Sequence, residues 1–157
     1  AEWDRTRRFV VNLTHRGVRD IMSSLSLKEE SDGTQRFFSL IGPWLESLVH
    51  GYTVLVDEIN ASLHPMLTRS LIELFHNPKW NISGAQLILT THDVSLMDSQ
   101  LFRRDQIWLT EKDGGGACHL YSLSDYKEKP RKEENWRKGY MAGRYGAVPI
   151  LGDFDKP

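Results

Sequence analysis

Tyr52-Thr-Val-Leu-Val-Asp-Glu-Ile59 decides how the rest of the chain is read. A run of Val, Leu and Thr entered through Gly51 predicts a buried strand, most simply a parallel one covered on both faces. It ends in two adjacent carboxylates, Asp57 and Glu58. Acids at the carboxyl end of such a strand leave the core for the crevice where open α/β sheets place their ligands. A polar turn after an ordinary strand reads the same in isolation, so the neighbouring segments carry the decision.

Downstream, Asn60-Ala-Ser-Leu-His-Pro65 reads as a loop, and Pro65 can open a helix at its first position. Leu67, Leu71, Ile72, Leu74 and Phe75 give that helix a buried stripe. The breaker-rich connection from Asn77 to Gly84 leads to Ala85-Gln-Leu-Ile-Leu-Thr-Thr91, a second buried strand that ends at His92-Asp93. Strand, helix and strand make one βαβ unit, which opens both strand ends on the same edge of the sheet.

Upstream, the polar stretch Lys28 to Arg36 runs into Phe37, Phe38, Leu40, Ile41, Leu45, Leu48 and Val49, a helix pattern with one broad apolar face. Ser31 or Asp32 is suited to cap it, with Gly33 and Thr34 in the first turn. Pro43 is expected to kink this helix or divide it. Nearer the start, Phe9 to Leu13 is of strand type and Thr14 to Gly17 is turn-like. Val18 to Leu27 fits helical spacing at Val18, Ile21, Met22 and Leu25, and strand alternation at Ser24-Leu-Ser-Leu27.

Past the second strand, Gln106 to Thr110 and Cys118 to Ser122 flank Asp113-Gly-Gly-Gly116, which predicts a β-hairpin. The three glycines are not a phosphate loop, since no helix start and no Lys-Ser/Thr follow them. Lys127 to Lys138 is dense in charge, with Trp136 beside it. A solvated helix face is the leading reading there, and a weak nucleic-acid patch the lesser one.

Composition sets the bounds. A 157-residue chain with 39% hydrophobic and 26% charged residues has the make-up of one soluble globular domain. A net charge of −1 gives no global field to recruit nucleic acid or an anionic membrane. The single cysteine, Cys118, excludes an internal disulfide, fits a reducing compartment, and is expected as a small core residue. No apolar run is long enough to span a bilayer and no secretory signal is present, so a cytoplasmic chain is expected. The start on Ala-Glu-Trp-Asp-Arg, without Met, reads as a piece of a longer protein.

Three segments stand in order: Ser31-Asp-Gly-Thr-Gln35 at a helix start, Val54-Leu-Val-Asp-Glu58 at a strand end, and Thr90-Thr-His92 at the next strand end. With Asn60-Ala-Ser-Leu-His64 after the acids, the order resembles the second half of an ABC-type ATPase domain, the class that includes SMC and RecF proteins. It is most similar to the stand-alone AAA-family, abortive-infection-type ATP-binding proteins of bacteria. Their tail is matched by Arg103-Arg-Asp-Gln-Ile-Trp108, Glu111-Lys112 and Gly143-Arg-Tyr-Gly-Ala-Val-Pro149.

The resemblance implies a parallel-sheet α/β P-loop NTPase fold, of which this chain would be a half-domain ending in the hairpin and a helical tail. Residues 1–151 would form the C-terminal lobe and 152–157 a tail. Asp57 would be the Walker B acid, holding Mg²⁺ through its water shell. Glu58 would deprotonate the water that attacks the γ-phosphate of ATP. His92 resembles the switch histidine that registers that phosphate. Ser31, Gly33, Thr34 and Gln35 resemble the ABC signature, with Asp32 and Thr34 departing from Leu-Ser-Gly-Gly-Gln. A helix N-terminus suits an anion, and Gly33 would let backbone approach it. Ser62 and His64, within Ala61 to His64, resemble the D-loop.

In this class the signature serves the nucleotide of the other subunit, so the resemblance implies a head-to-tail dimer with ATP in the interface. No Gly-x-x-x-x-Gly-Lys-Ser/Thr occurs, and the Walker A loop is therefore expected in an N-terminal half of the same protein. The chain alone is expected to bind ATP weakly or not at all and to be inactive. For the abortive-infection relatives, phage defence beside a nuclease or reverse transcriptase is implied. A non-hydrolysing scaffold and a DNA-repair ATPase of the SMC or RecF type are the alternatives.

Overall fold

The computed structural model describes residues 10–17, 20, 22–126 and 134–149. The chain divides into two compact units between Thr91 and His92. In the first, β1 (Asn12–Arg16) and β2 (Met22–Ser26) pair antiparallel, with Asn12 opposite Ser26 and Arg16 opposite Met22. Thr14 to Arg16, expected to turn, instead continue β1, because Ser24, Ser23 and Met22 offer them ladder partners. The alternation signal also prevails in β2; Phe9, Val18 and Ile21 lie outside the described residues.

A short 3₁₀ turn at Leu27–Glu29 leads to α1 (Asp32–His50). Ser31 caps it, its Oγ accepting the Thr34 N–H at 3.2 Å. The helix runs through Pro43 without dividing. An interior proline costs roughly 3 kcal/mol, and packing on the following turn offsets it. There Trp44 and Leu48 are buried, and Trp44 Nε1 donates to the Leu71 carbonyl at 3.0 Å. Gly51 ends α1 at φ 74°, where a Cβ would lie 2.5 Å from the Ser83 carbonyl oxygen, so only glycine fits.

β3 (Thr53–Val56), α2 (Pro65–His76) and β4 (Gln86–Leu89) form the expected βαβ unit. The strands are parallel, Thr53 opposite Gln86 and Val56 opposite Leu89. Pro65 is the first residue of α2, and Asn81 closes the loop behind it by donating to the Phe75 and Ala85 carbonyls at 2.8 and 2.9 Å. Cover on both faces, expected for β3, is not found among the described residues. Val54, Val56, Leu87 and Leu89 are half-buried, whereas Leu55 and Ile88, opposite each other, are 73% and 56% exposed.

The second unit is built on the expected hairpin. β5 (Trp108–Lys112) and β6 (Cys118–Ser122) pair antiparallel, with Lys112 opposite Cys118 across the Asp113–Gly116 turn. Leu109, Leu123, Trp136 and Tyr145 make its core, Trp136 opening the short helix α3 (Trp136–Met141). Trp136 is thus a core residue, not a companion of surface charge. Residues 127–133 of the basic run and the tail from 150 lie outside the described residues. Cys118 is exposed, contrary to the expectation of a core thiol, because it stands on the solvent side at the end of a two-stranded sheet.

The Gly143 to Pro149 segment ties this unit together. Tyr121 Oη donates to the Tyr145 carbonyl and Tyr140 Oη to the Ala147 carbonyl, each at 2.8 Å. Gly139 makes room for the Tyr145 ring, since a Cβ there would fall 2.5 Å from Tyr145 Oη. Among the described residues no helix is long and apolar enough to cross a membrane.

Candidate functional site

The register of the parallel pair builds the site. With Val56 opposite Leu89, the next residues to emerge are Asp57 on one strand and Thr90 on the other. Thr90 then makes four hydrogen bonds to the acid-bearing segment. Its N–H donates to the Val56 carbonyl at 3.0 Å, and its carbonyl accepts the Ile59 N–H at 3.1 Å. Its Oγ1 accepts the Glu58 N–H at 2.9 Å and donates its proton to Asp57 Oδ1 in a short bond. Thr91 adds one more, from its Oγ1 to Asn60 Oδ1 at 2.6 Å.

Glu58 sits in the left-handed region, with φ 49°. That conformation costs a non-glycine residue roughly 1 kcal/mol and persists where surrounding bonds hold it, often at functional sites. Asp57 and Glu58 are both exposed at this edge. Their carboxylate and the hydroxyl beside them offer oxygen ligands only. Among the described residues no group of three or more His, Cys, Asp or Glu gathers to hold an ion. This donor set fits Mg²⁺ as nucleotide enzymes use it, with one or two carboxylates, water and phosphate oxygens rather than a cage of protein ligands.

A second cluster lies at the start of α1. Ser31, Thr34 and Gln35 are engaged with each other and with the preceding turn. Ser31 Oγ and Thr34 Oγ1 share a 2.9 Å hydrogen bond, and the Gln35 side-chain amide donates to the Glu30 carbonyl at 2.8 Å. Gly33 is required for a reason the sequence did not show. A Cβ on it would lie 2.9 Å from the Ser62 carbonyl oxygen. Its open side therefore admits the loop after the acids. Ser62 is itself left-handed, at φ 61°, and the loop is two successive turns, Ala61 N–H to Glu58 O and Leu63 N–H to Asn60 O. The loop from Glu58 to Ser62 thus begins at the acids and ends against Gly33. His64 caps α2, its Nδ1 accepting the Met66 N–H at 3.2 Å.

His92 follows Thr91 directly, is exposed, and opens the second unit. Asp57, Glu58 and Asn60 are thus assembled with Thr90 and Thr91, and Ser31, Gly33, Thr34 and Gln35 with Ser62. Thr90 and Thr91 received no individual role from the sequence. The signal that would have found them is a hydroxyl residue at a strand end beside an acid on the neighbouring strand. That signal becomes readable only once the register is known.

A βαβ unit that brings two acids and a hydroxyl to one strand edge is an α/β ligand-binding arrangement of the nucleotide-enzyme kind. Residues 2–98 match the family described as "AAA domain, putative AbiEii toxin, Type IV TA system", and the chain belongs to that family. The match covers α1, both acids and His92. Membership carries ATPase-type activity as the coarse function, and domains of this type bind nucleotide with Mg²⁺. Comparison with curated proteins gave no match.

Proposed function

We propose that this chain is the acid-bearing half of an ABC-type ATPase that closes as a head-to-tail dimer around Mg-ATP and controls an effector in bacterial anti-phage defence. The observation that carries the reading is the pair Asp57 and Glu58, presented at the end of a parallel strand and hydrogen-bonded from Thr90. Asp57 would hold Mg²⁺, which supplies charge neutralisation on the phosphates. Glu58 accepts the proton of the attacking water, and His92 donates a hydrogen bond to the γ-phosphate. Ser31, Gly33, Thr34 and Gln35, with Ser62 and His64, would face the nucleotide held by the second copy.

The exposed pair Leu55 and Ile88 supports a further element covering this face, which the reading assigns to an N-terminal half that would also carry the Walker A loop. Parallel sheets occur with both faces covered, and two strands alone are marginal. A nuclease or reverse transcriptase is the effector class that the abortive-infection likeness suggests, in a cytoplasmic setting.

The test is Glu58→Gln in the full-length protein. Turnover is expected to fall at least about 100-fold, with the ATP-bound dimer accumulating on gel filtration. Normal turnover in that variant removes Glu58 from the role of base. Loss of the dimer in ATP, with turnover intact in the wild type, removes the head-to-tail assembly. The scaffold reading predicts instead that ATP drives partner binding with no phosphate released by either form.

A further inference from the structure

We infer that Thr90 is a positioning residue of the hydrolytic site, fixing both acids through one hydroxyl. The inference rests on the reading of Asp57 and Glu58 as the hydrolytic pair.

The chemistry of the hydroxyl makes the assignment specific. A threonine Oγ1 has one proton and two lone pairs. Here the proton goes to Asp57 Oδ1 and a lone pair takes the Glu58 N–H at 2.9 Å. Donation to Oδ1 sets the rotation of the Asp57 carboxylate and leaves its other oxygen to be aimed by that rotation. Acceptance from the Glu58 amide holds the backbone at φ 49°, from which the Glu58 side chain departs. One atom thus couples the orientation of the two acids.

The backbone of Thr90 supports this without depending on it. Its N–H and carbonyl bond to Val56 and Ile59, one on each side of the acids, so the residue is registered against the strand even when its side chain changes. A substitution that removes the hydroxyl should therefore release the acids while leaving the β3–β4 pair formed. Such a release is felt in the chemical step, because misplacement of a reacting group by about 1 Å can cost on the order of 100-fold in rate.

The experiment compares Thr90→Val, Thr90→Ser and Glu58→Gln in the full-length protein. Thr90→Val keeps the shape and β-branching and deletes the hydroxyl; Thr90→Ser restores it. For Thr90→Val we expect kcat to fall roughly 10- to 100-fold with KM for ATP within about 2-fold. For Thr90→Ser we expect kcat within about 3-fold of the parent.

Amide hydrogen exchange in the absence of nucleotide is the readout besides activity. The Glu58 amide should exchange faster in Thr90→Val and return to the parent rate in Thr90→Ser, with the Gln86 amide, which donates to the Tyr52 carbonyl across the β3–β4 pair, unchanged in both. A Thr90→Val protein with parental kcat and a protected Glu58 amide overturns the inference. So does a Thr90→Ser protein as slow as Thr90→Val. If Glu58→Gln also turns over normally, the hydrolytic reading of the site fails with it. If Glu58→Gln is inactive while Thr90→Val is not, the positioning role alone fails.

Discussion

The carbonyl oxygen of Ser62 lies where a side chain on Gly33 would have to go, 2.9 Å from the position of its Cβ. The start of α1 and the loop that follows the acids are therefore in mutual contact through a missing side chain. A change at one end of that loop has a route to the other, since Glu58 and Ser62 bound the same pair of turns.

Gly33→Ala tests that contact. Alanine is the better helix former by up to about 1 kcal/mol, so a helix that merely tolerated glycine would gain stability. Here the added methyl meets backbone, and the loop must shift. The expected outcome is a melting temperature changed by no more than about 4 °C, with faster amide exchange confined to residues 58–64. Unchanged exchange in that segment would show that the loop does not rest on Gly33.

The bare face of the parallel pair gives a second test, run in two contexts. Leu55→Thr with Ile88→Thr changes two residues that are exposed in the chain alone and leaves β-branched side chains, suited to a strand, at both positions. Denaturant unfolding of the chain should move by no more than about 0.5 kcal/mol. In the full-length protein the same pair should lose about 3 kcal/mol or more, as expected for burying two large aliphatic side chains. Equal, small effects in both contexts would mean that nothing covers this face.

The hairpin turn carries a defined pH dependence. His119 Nε2 donates to Asp113 Oδ2 at 2.9 Å, and the Gly115 and Ala117 amides donate to Oδ1, each at 2.9 Å. The His119 contact first, then the Ala117 amide, hold the Asp113 carboxyl below the usual carboxylate range. A group lowered in the folded state contributes fully above its unfolded value, about 3.9, and the contribution is lost as pH falls through the lowered folded value. Gly115 and Ala117 amide chemical shifts should therefore titrate together with a midpoint below about 3.9. In Asp113→Asn the turn should persist and that titration vanish. A midpoint above that value in the parent would contradict the assigned contacts.

The strand, helix and strand from Thr53 to Leu89 were legible because burial periodicity and Gly and Pro punctuation are local properties. The helix from Asp32 and its Ser31 cap, Pro65 at the head of α2, and the hairpin at Asp113 were legible for the same reason. Asp57 and Glu58 could be placed at a strand end because the apolar run stops there. The turn expected at Thr14 to Arg16 failed where a partner strand supplied hydrogen bonds that the local sequence did not announce. Of the kink or division expected at Pro43, division does not occur, because Trp44 and Leu48 pack on the core and hold the helix together, a tertiary effect.

By itself, then, the sequence determined which elements form and which acids end the central strand, since both follow from side-chain types over a few residues. Only the tertiary structure decided what those acids touch. The register that sets Asp57 beside Thr90, and the approach of Ser62 to Gly33, join residues about thirty positions apart. Such pairings are fixed by how strands align and loops close in space, and no local pattern of residues encodes them.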